Sequence, residues 1–354
     1  MPSIDTLPPT MRAARFTRAD RGFAITTVPV PAPAPHEVVV RVAACGICLS
    51  DVHLLDGSLK TSLEVVTPGH EAAGTIAACG SAVVGWSVGQ RVVMAGGKAC
   101  GACRSCLDGG GETRCTRFQI MGFAYDGAWA EYIAVPWSSL CAIPDHLPFP
   151  QAAILADAVS TPFAGLSDRG ALRAGESVGL WGVGGLGVHA VQIARLLGAA
   201  PIVAVDPLTS ARERALAAGA DVALDPRHDD VRARVLEITR GRGLDLAVDL
   251  FGANQVLAEG VSCLARHGRM VMIGLSHDPI QLGPGVVFGV QSHALLGHLG
   301  YTKAQLDRLV ELVSYGRLDV SRSISDIMPL ADVARGVERL AKKEGNPIRL
   351  VVEP

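Results

Sequence analysis

The chain has 354 residues, 49% of them hydrophobic and 19% charged, enough apolar content for two sizeable cores. A net charge of −2, with no run of like charges, gives no electrostatic reason to bind nucleic acid or a membrane surface and points to a small neutral ligand. No apolar stretch reaches spanning length, and residues 1–10 have neither a basic start nor an apolar signal core, so a cytoplasmic location is expected.

From Glu37 to Val135, short β-branched runs (EVVVRV, GTIAA, QRVVMA, EYIAV) alternate with Gly-, Pro- and Cys-rich turns, which predicts a β domain shaped as a partly open barrel. Cys48 stands in CGICLSDVH, His70 and Glu71 in PGHEAAG, and Asp157 in ILADAVSTPF. Spacing does not group these four, because a buried thiol and a core histidine are ordinary residues of a β core. The run KACGACRSCLDGGGETRC is different: it sets Cys100, Cys103, Cys106 and Cys115 in one short lobe, four of the nine cysteines of the chain. Four thiolates close a tetrahedral zinc site with no open position, so such a site braces a loop and does not activate a substrate. A redox dithiol is the competing reading.

After about residue 158 strands alternate with helices, the βαβ pattern of a parallel sheet. Strands are expected at 177–181, 202–205, 246–250 and 269–273, with helices at 186–197 and 253–265. The segment ESVGLWGVGGLGVHAVQIARLLGA puts Gly182, Gly184 and Gly187 in G-x-G-x-x-G spacing between an apolar strand and a helix. Alone, that spacing also marks ordinary Gly-rich turns in a chain with 40 glycines. Asp206, 19 residues beyond Gly187 at the end of PIVAVD, adds the carboxylate that bonds an adenosine ribose, which favours NAD over NADP, while Arg212 close behind weighs the other way. Beyond Gly300, helices at 303–314 and 331–343 and a strand at 349–352 are expected to return to the first domain, and no internal repeat interrupts the pattern.

In this order, GICLSDVH, PGHE, the four-cysteine lobe, LADAVSTPF, GVGGLG with Asp206, VMIGL around Gly274 and the terminal IRLVV resemble the medium-chain dehydrogenase/reductase superfamily in its zinc-dependent alcohol dehydrogenase branch. The resemblance covers nearly the whole chain from Met11. It implies an α/β fold in which a GroES-like β-rich catalytic domain, residues 1–157 and 301–354, surrounds a Rossmann domain with a doubly wound parallel sheet, residues 158–300. It implies two zinc ions per chain: a structural one on the four cysteines, and a catalytic one on Cys48, His70 and the position held here by Asp157, where many relatives have cysteine and some bacterial secondary-alcohol dehydrogenases have aspartate. Glu71 becomes an alternate ligand or positioning group, Asp51 the acceptor for the second ring N–H of His70, and Ser50 with His53 the proton relay. Cofactor contacts fall to Gly182, Gly184, Gly185, Leu186, Gly187, Asp206, Gly274 and Arg349.

Two departures stand out. Leu49 replaces the arginine or histidine that commonly touches the cofactor phosphates, which leaves Arg349 as the candidate for that contact. The lobe also has eight residues between Cys106 and Cys115, one more than usual, with the extra residue within Gly109–Gly111. The implied reaction is reversible hydride transfer between a primary or secondary alcohol and NAD(H) in a homodimer or homotetramer. A zinc-containing carbonyl or enone reductase of the same superfamily is the nearest alternative, and a catalytically silent nucleotide-binding relative a more distant one. Small residues at Ala95, Gly96 and Gly97, with Leu59, Ile120, Met121 and Leu275 as apolar lining, suggest a roomy substrate pocket.

Overall fold

A computed structural model describes residues 7–354; residues 1–6, part of the segment read above for a signal sequence and of the first expected domain, lie outside the described residues. The chain divides into two compact units, one of residues up to 158 together with 302–354, the other of residues 159–301.

In the first unit the longest strand, Glu37–Ile47, carries VVVRVAACGI and is buried along nearly its whole length, as a strand covered on both faces must be. It is the hub of a seven-stranded sheet ordered Leu140–Ala142, Arg91–Met94, Ala72–Cys79, Glu37–Ile47, Arg349–Glu353, Ile324–Pro329, with Tyr132–Pro136 also paired to the hub. Register shifts at Val39/Val40 and Val42/Ala44 bend that hub strand, the expected effect of bulges. The chain's last strand pairs antiparallel with its end, Leu350 opposite Ile47 and Val351 opposite Gly46. A second sheet of Thr10–Thr17, Gly22–Pro29 and Val65–Val66 is joined to this layer through the bridge Ala13 to Ala130 and the bond from the Ala14 N–H to the Trp129 carbonyl at 2.8 Å. The barrel-like wall is therefore two bridged sheets, not one ladder. Its core holds Val38, Val40, Ile47, Met121, Trp129 and Leu350.

Helix Lys303–Ser314 falls where its sequence places it. Thr302 and Gln305 form a reciprocal capping box, and Leu306, Leu309 and Val310 repeat at the spacing of one buried helical face. The later helix is Val333–Ala341, shorter at both ends than the periodicity predicts.

The second unit is a six-stranded parallel sheet in the order Val222–Leu224, Ile202–Val205, Val178–Trp181, Leu244–Asp249, Leu264–Met272, Ala294–Gly297. This is the doubly wound arrangement, whose order reverses beside Val178–Trp181. Two edge strands escaped the sequence reading because three or four residues carry no measurable periodicity. The helix expected at 253–265 is Asn254–Ser262, since Leu264 already pairs with Leu244 in the sheet. No helix among the described residues is long and apolar enough to cross a membrane.

Candidate active site and metal centres

Cys48 ends the hub strand region in extended conformation (φ −106°, ψ 159°) and begins helix Leu49–Asp56. Asp51, fully enclosed, turns back so that its Oδ2 accepts the Cys48 N–H at 2.9 Å, which holds the strand-to-helix corner. Its other oxygen lies 3.8 Å from His70 Nδ1, beyond hydrogen-bond length. His70 and Glu71 enter from the loop before strand Ala72–Cys79. Gly69 takes φ +93°, and a Cβ there would stand 2.5 Å from the Trp129 ring and 2.8 Å from Cys45 Sγ, so only glycine fits. Gly46 has a similar duty that sequence reading missed: a Cβ would sit 2.2 Å from Glu71 Oε2. Asp157 lies in the π-helical turn Leu155–Val159, the kind of widened turn that re-aims side chains at functional sites.

These elements converge. One ligand atom each from Cys48, His70, Glu71 and Asp157 lies within 4.8 Å of all the others. Asp157 Oδ2 is 3.2 Å from Cys48 Sγ and 3.8 Å from His70 Nε2. Arg349 is enclosed with them: its Nη1 donates to the Ile47 carbonyl at 3.0 Å and lies 3.3 Å from Glu71 Oε1. Asp51 Oδ1, His70 Nδ1 and both Glu71 oxygens are buried without a hydrogen-bond partner. Four groups that ionise to anions, Cys48, Asp51, Glu71 and Asp157, thus face one guanidinium in a water-poor place. Burial, reinforced by the Asp157 charge, pushes the Cys48 thiol up, and burial raises Glu71 to about 8 against the pull of Arg349. Against burial, bonds to Asp157 and Cys48 hold the His70 imidazole well above its usual value. A bound dication would relieve this crowding of buried acidic groups, and a soft thiolate, an imidazole and a carboxylate are a donor set that zinc accepts.

The cysteine lobe forms a second set, with Cys100, Cys103, Cys106 and Cys115 sulfurs mutually within 4.8 Å. Cys103 and Cys106 sulfurs stand 3.4 Å apart, too far for a disulfide, and every cysteine is free. The Cys100 N–H points at Cys115 Sγ (3.2 Å) and the Cys103 N–H at Cys100 Sγ (3.3 Å). Backbone N–H groups of Thr116 and Cys106 hold the Cys103 thiol down at about 5. A redox dithiol would need only the Cys103–Cys106 pair, whereas here all four sulfurs gather, the arrangement a closed metal site uses. The extra residue of the lobe is absorbed at Gly109 and Gly111, both at positive φ with open space where a side chain would stand. Glu112 of the lobe accepts the Lys303 N–H at 2.8 Å and so docks it on helix Lys303–Ser314.

In the second unit the turn after Val178–Trp181 has the three glycine roles in place. Gly182 adopts φ +88°, Gly184 has nothing within 4 Å of a would-be Cβ, and a Cβ at Gly187 would lie 2.1 Å from the Gly182 carbonyl oxygen. The turn, with Gly185 and Leu186, leads into helix Gly187–Leu196. Asp206 is fixed beside it, accepting the Val183 N–H (Oδ2, 2.8 Å) and the Leu208 N–H (Oδ1, 2.8 Å). A Cβ on Gly274 would lie 2.1 Å from Gly252 N, so the two turns that border the expected cofactor strand ends are packed backbone to backbone. The open face at Gly184 is a cradle that fits a pyrophosphate.

Comparison with known proteins agrees with this geometry. The pattern of the alcohol dehydrogenase GroES-like domain matches residues 34–145, and that of the zinc-binding dehydrogenases residues 185–315. An alcohol dehydrogenase of Geobacillus stearothermophilus is 32% identical over 341 residues, 95% of this chain and 98% of that one. The chain belongs to the zinc-type alcohol dehydrogenase family. Solved structures of the family superpose throughout: an alcohol dehydrogenase from Thermus sp. ATN1 (TM-score 0.89, 29% identity, 97% of this chain and 99% of that one) and a Sinorhizobium meliloti 1021 protein described as a zinc-binding dehydrogenase and bound to NADP (TM-score 0.89, 26% identity, 98% and 100%).

Within this alcohol dehydrogenase fold the remaining expected residues are placed unevenly. Ser50 Oγ stands 3.3 Å from His70 Nε2 at the metal set, whereas His53, one turn on, faces Asp56 at 3.4 Å. Leu59 is half-buried, and Ile120 is exposed on the short hairpin Gly97–Lys98 with Gln119–Ile120. Leu275 is half-exposed in the second unit. Met121 does not line a pocket: its side chain is wholly enclosed in the β core, while its N–H bonds the Gly96 carbonyl at 3.0 Å. Beside Ala95 and Gly97 the expected space is taken, because a Cβ on Gly97 would meet the Phe118 ring at 2.5 Å and Ala95 is itself buried, while Gly96 between them is half-buried. Another side chain fills that place. Arg349, expected at the cofactor phosphates, is 3% exposed and faces inward, bonded to the Ile47 carbonyl and ion-paired with Glu71, with Nε and Nη2 lacking a protein acceptor.

Proposed function

We propose that the chain is a zinc-dependent alcohol dehydrogenase that moves a hydride between a primary or secondary alcohol and NAD. The observation that carries this reading is the convergence of Cys48, His70, Glu71 and Asp157 around buried, unbonded acceptors. Cys48, His70 and Asp157 would hold the catalytic ion, with Glu71 in reserve, and Cys100, Cys103, Cys106 and Cys115 a closed structural one. When bound, zinc supplies the Lewis acidity that makes an alcohol hydroxyl acidic near neutral pH. Ser50, at the edge of the set, would accept the hydroxyl proton on Oγ while releasing its own, and His53, on the same helix, would hand a proton to water. Asp51 fixes the ring orientation of His70, and Glu71 with Arg349 keeps the back of the site closed to solvent. Residues 158–300 serve the cofactor: the Gly182–Gly187 turn and Gly274 hold it, and Asp206 reads its ribose. Residues 1–157 with 301–354 serve the metal and substrate.

The decisive experiment is a panel of alcohols and their carbonyl partners with NAD(H), before and after chelation. Turnover of no alcohol or carbonyl by fully metallated protein rejects the reading. Metal analysis of that protein should give two zinc ions per chain, and one would remove either the Cys-His-Asp site or the lobe. NAD should exceed NADP in kcat/KM, because the Asp206 carboxylate repels a 2′-phosphate, and Asp206→Gly should narrow the gap by about tenfold or more. Equal use of both cofactors by the unaltered enzyme counts against it.

A further inference from the structure

Asp206 has a neighbour that the family resemblance does not mention. Strand Val222–Leu224 lies beside Ile202–Val205 with Leu224 opposite Val205, so Asp225 and Asp206 follow the ends of adjacent strands. Two arginines reach this corner. Arg212 Nη1 donates to the carbonyls of Asp206 (2.8 Å) and Pro207 (2.9 Å), and its Nη2 to Thr209 Oγ1 at 3.1 Å. Arg227 Nη2 also donates to the Pro207 carbonyl. Both guanidiniums pair with one carboxylate: Asp225 Oδ2 is 2.9 Å from Arg212 Nη1 and 2.8 Å from Arg227 Nη2, and Asp225 Oδ1 accepts from Arg227 Nε at 3.0 Å. A third arginine, Arg214, is near enough to feel the Asp206 charge.

Guanidiniums that converge within a residue of the ribose-reading acid are suited to a 2′-phosphate, which Arg recognises through paired N–H donors. Here Nη1 and Nη2 of Arg212 and Nε and Nη2 of Arg227 are already occupied. The Arg227 bond holds the Asp225 carboxyl well below the usual carboxylate range, so it stays an anion at any physiological pH. The Arg227 pair contributes little as a staple, since that side chain is 56% exposed and exposed ion pairs are weak, whereas the Arg212 pair is largely buried. We propose that Asp225 is a specificity residue for the cofactor: it ties Arg212 and Arg227 to the sheet edge and denies them to a 2′-phosphate, adding to the repulsion from Asp206. The proposal rests on the reading of Asp206 as the ribose acid of an NAD enzyme.

Asp225→Asn keeps the shape and removes the charge, and calorimetric titration with AMP and with adenosine 2′,5′-bisphosphate separates a specificity role from a structural one. The bisphosphate should bind about tenfold tighter or more to Asp225→Asn than to the unaltered protein, with AMP changed by less than about twofold. The NADP/NAD ratio of kcat/KM should rise in parallel, and adding Arg212→Gln and Arg227→Gln should abolish the gain. Asp225→Ser is read the same way if the Asn variant does not fold. Equal weakening of both ligands, or no change in either, overturns the proposal while leaving the NAD reading intact. An unaltered protein that binds the bisphosphate as well as AMP overturns both.

Discussion

Asp157→Ala is expected to lower kcat/KM for every alcohol by at least about a hundredfold and to leave one zinc per chain, that of the cysteine lobe. Removing partners that merely orient metal ligands costs about 10–100-fold, and Asp157 is read here as a ligand, so the loss should exceed that range. Its carboxylate is 3.2 Å from Cys48 Sγ, and truncating it leaves His70 and Cys48 with only Glu71 to complete a site. Glu71 is a poor substitute, because its nearest partner is the Arg349 guanidinium at 3.3 Å and moving toward a metal would weaken that pair. Asp157→Cys, restoring the donor common in relatives, should regain zinc. The measurement is zinc content with turnover on the same sample. Two zinc ions and normal rates in Asp157→Ala would make Glu71 the third ligand.

Above about pH 8, where Glu71 is ionised, Arg349→Met should destabilise the metal-free protein by about 3–5 kcal/mol, the usual effect of leaving one half of a buried ion pair alone. Glu71 is fully enclosed and Arg349 only 3% exposed, so solvent does not screen the loss. The cost should grow with pH. Burial has raised the Glu71 carboxyl to about 8, so the folded state holds this proton more tightly than the unfolded chain does. Stability from that proton is full below the ordinary carboxylate range and is lost as pH rises to about 8, and without Arg349 nothing offsets it. Urea midpoints at pH 6 and pH 9 test the sign, and Glu71→Gln combined with Arg349→Met should recover much of the loss. A cost under about 1 kcal/mol at pH 9 would show that the pair is not a buried ionic contact.

Several parts of this molecule were legible because the physics that fixes them is local. The Gly182–Gly187 turn needs positive φ at its start and no Cβ at its end, constraints confined to six residues. The cysteine lobe closes within 15 positions, and the cap of helix Lys303–Ser314 within three. Grouping of the catalytic set was not local: Cys48 and Asp157 are 109 positions apart and were linked beforehand only through family resemblance. Here strand register, the glycine-requiring corners at Gly46 and Gly69 and the widened helical turn at Asp157 decide which atoms meet.

By itself, then, the sequence determined the two-part α/β architecture, the dinucleotide turn and the thiolate cluster, since backbone sterics and short ligand spacing act among near neighbours. Tertiary structure alone decided that Arg349 backs Glu71, that Phe118 fills the space beside Gly97, that Met121 belongs to the core and that Asp225 ties down Arg212. Each of these depends on which distant side chain packing brings alongside, and a chain's order of residues carries no distance until strands have paired.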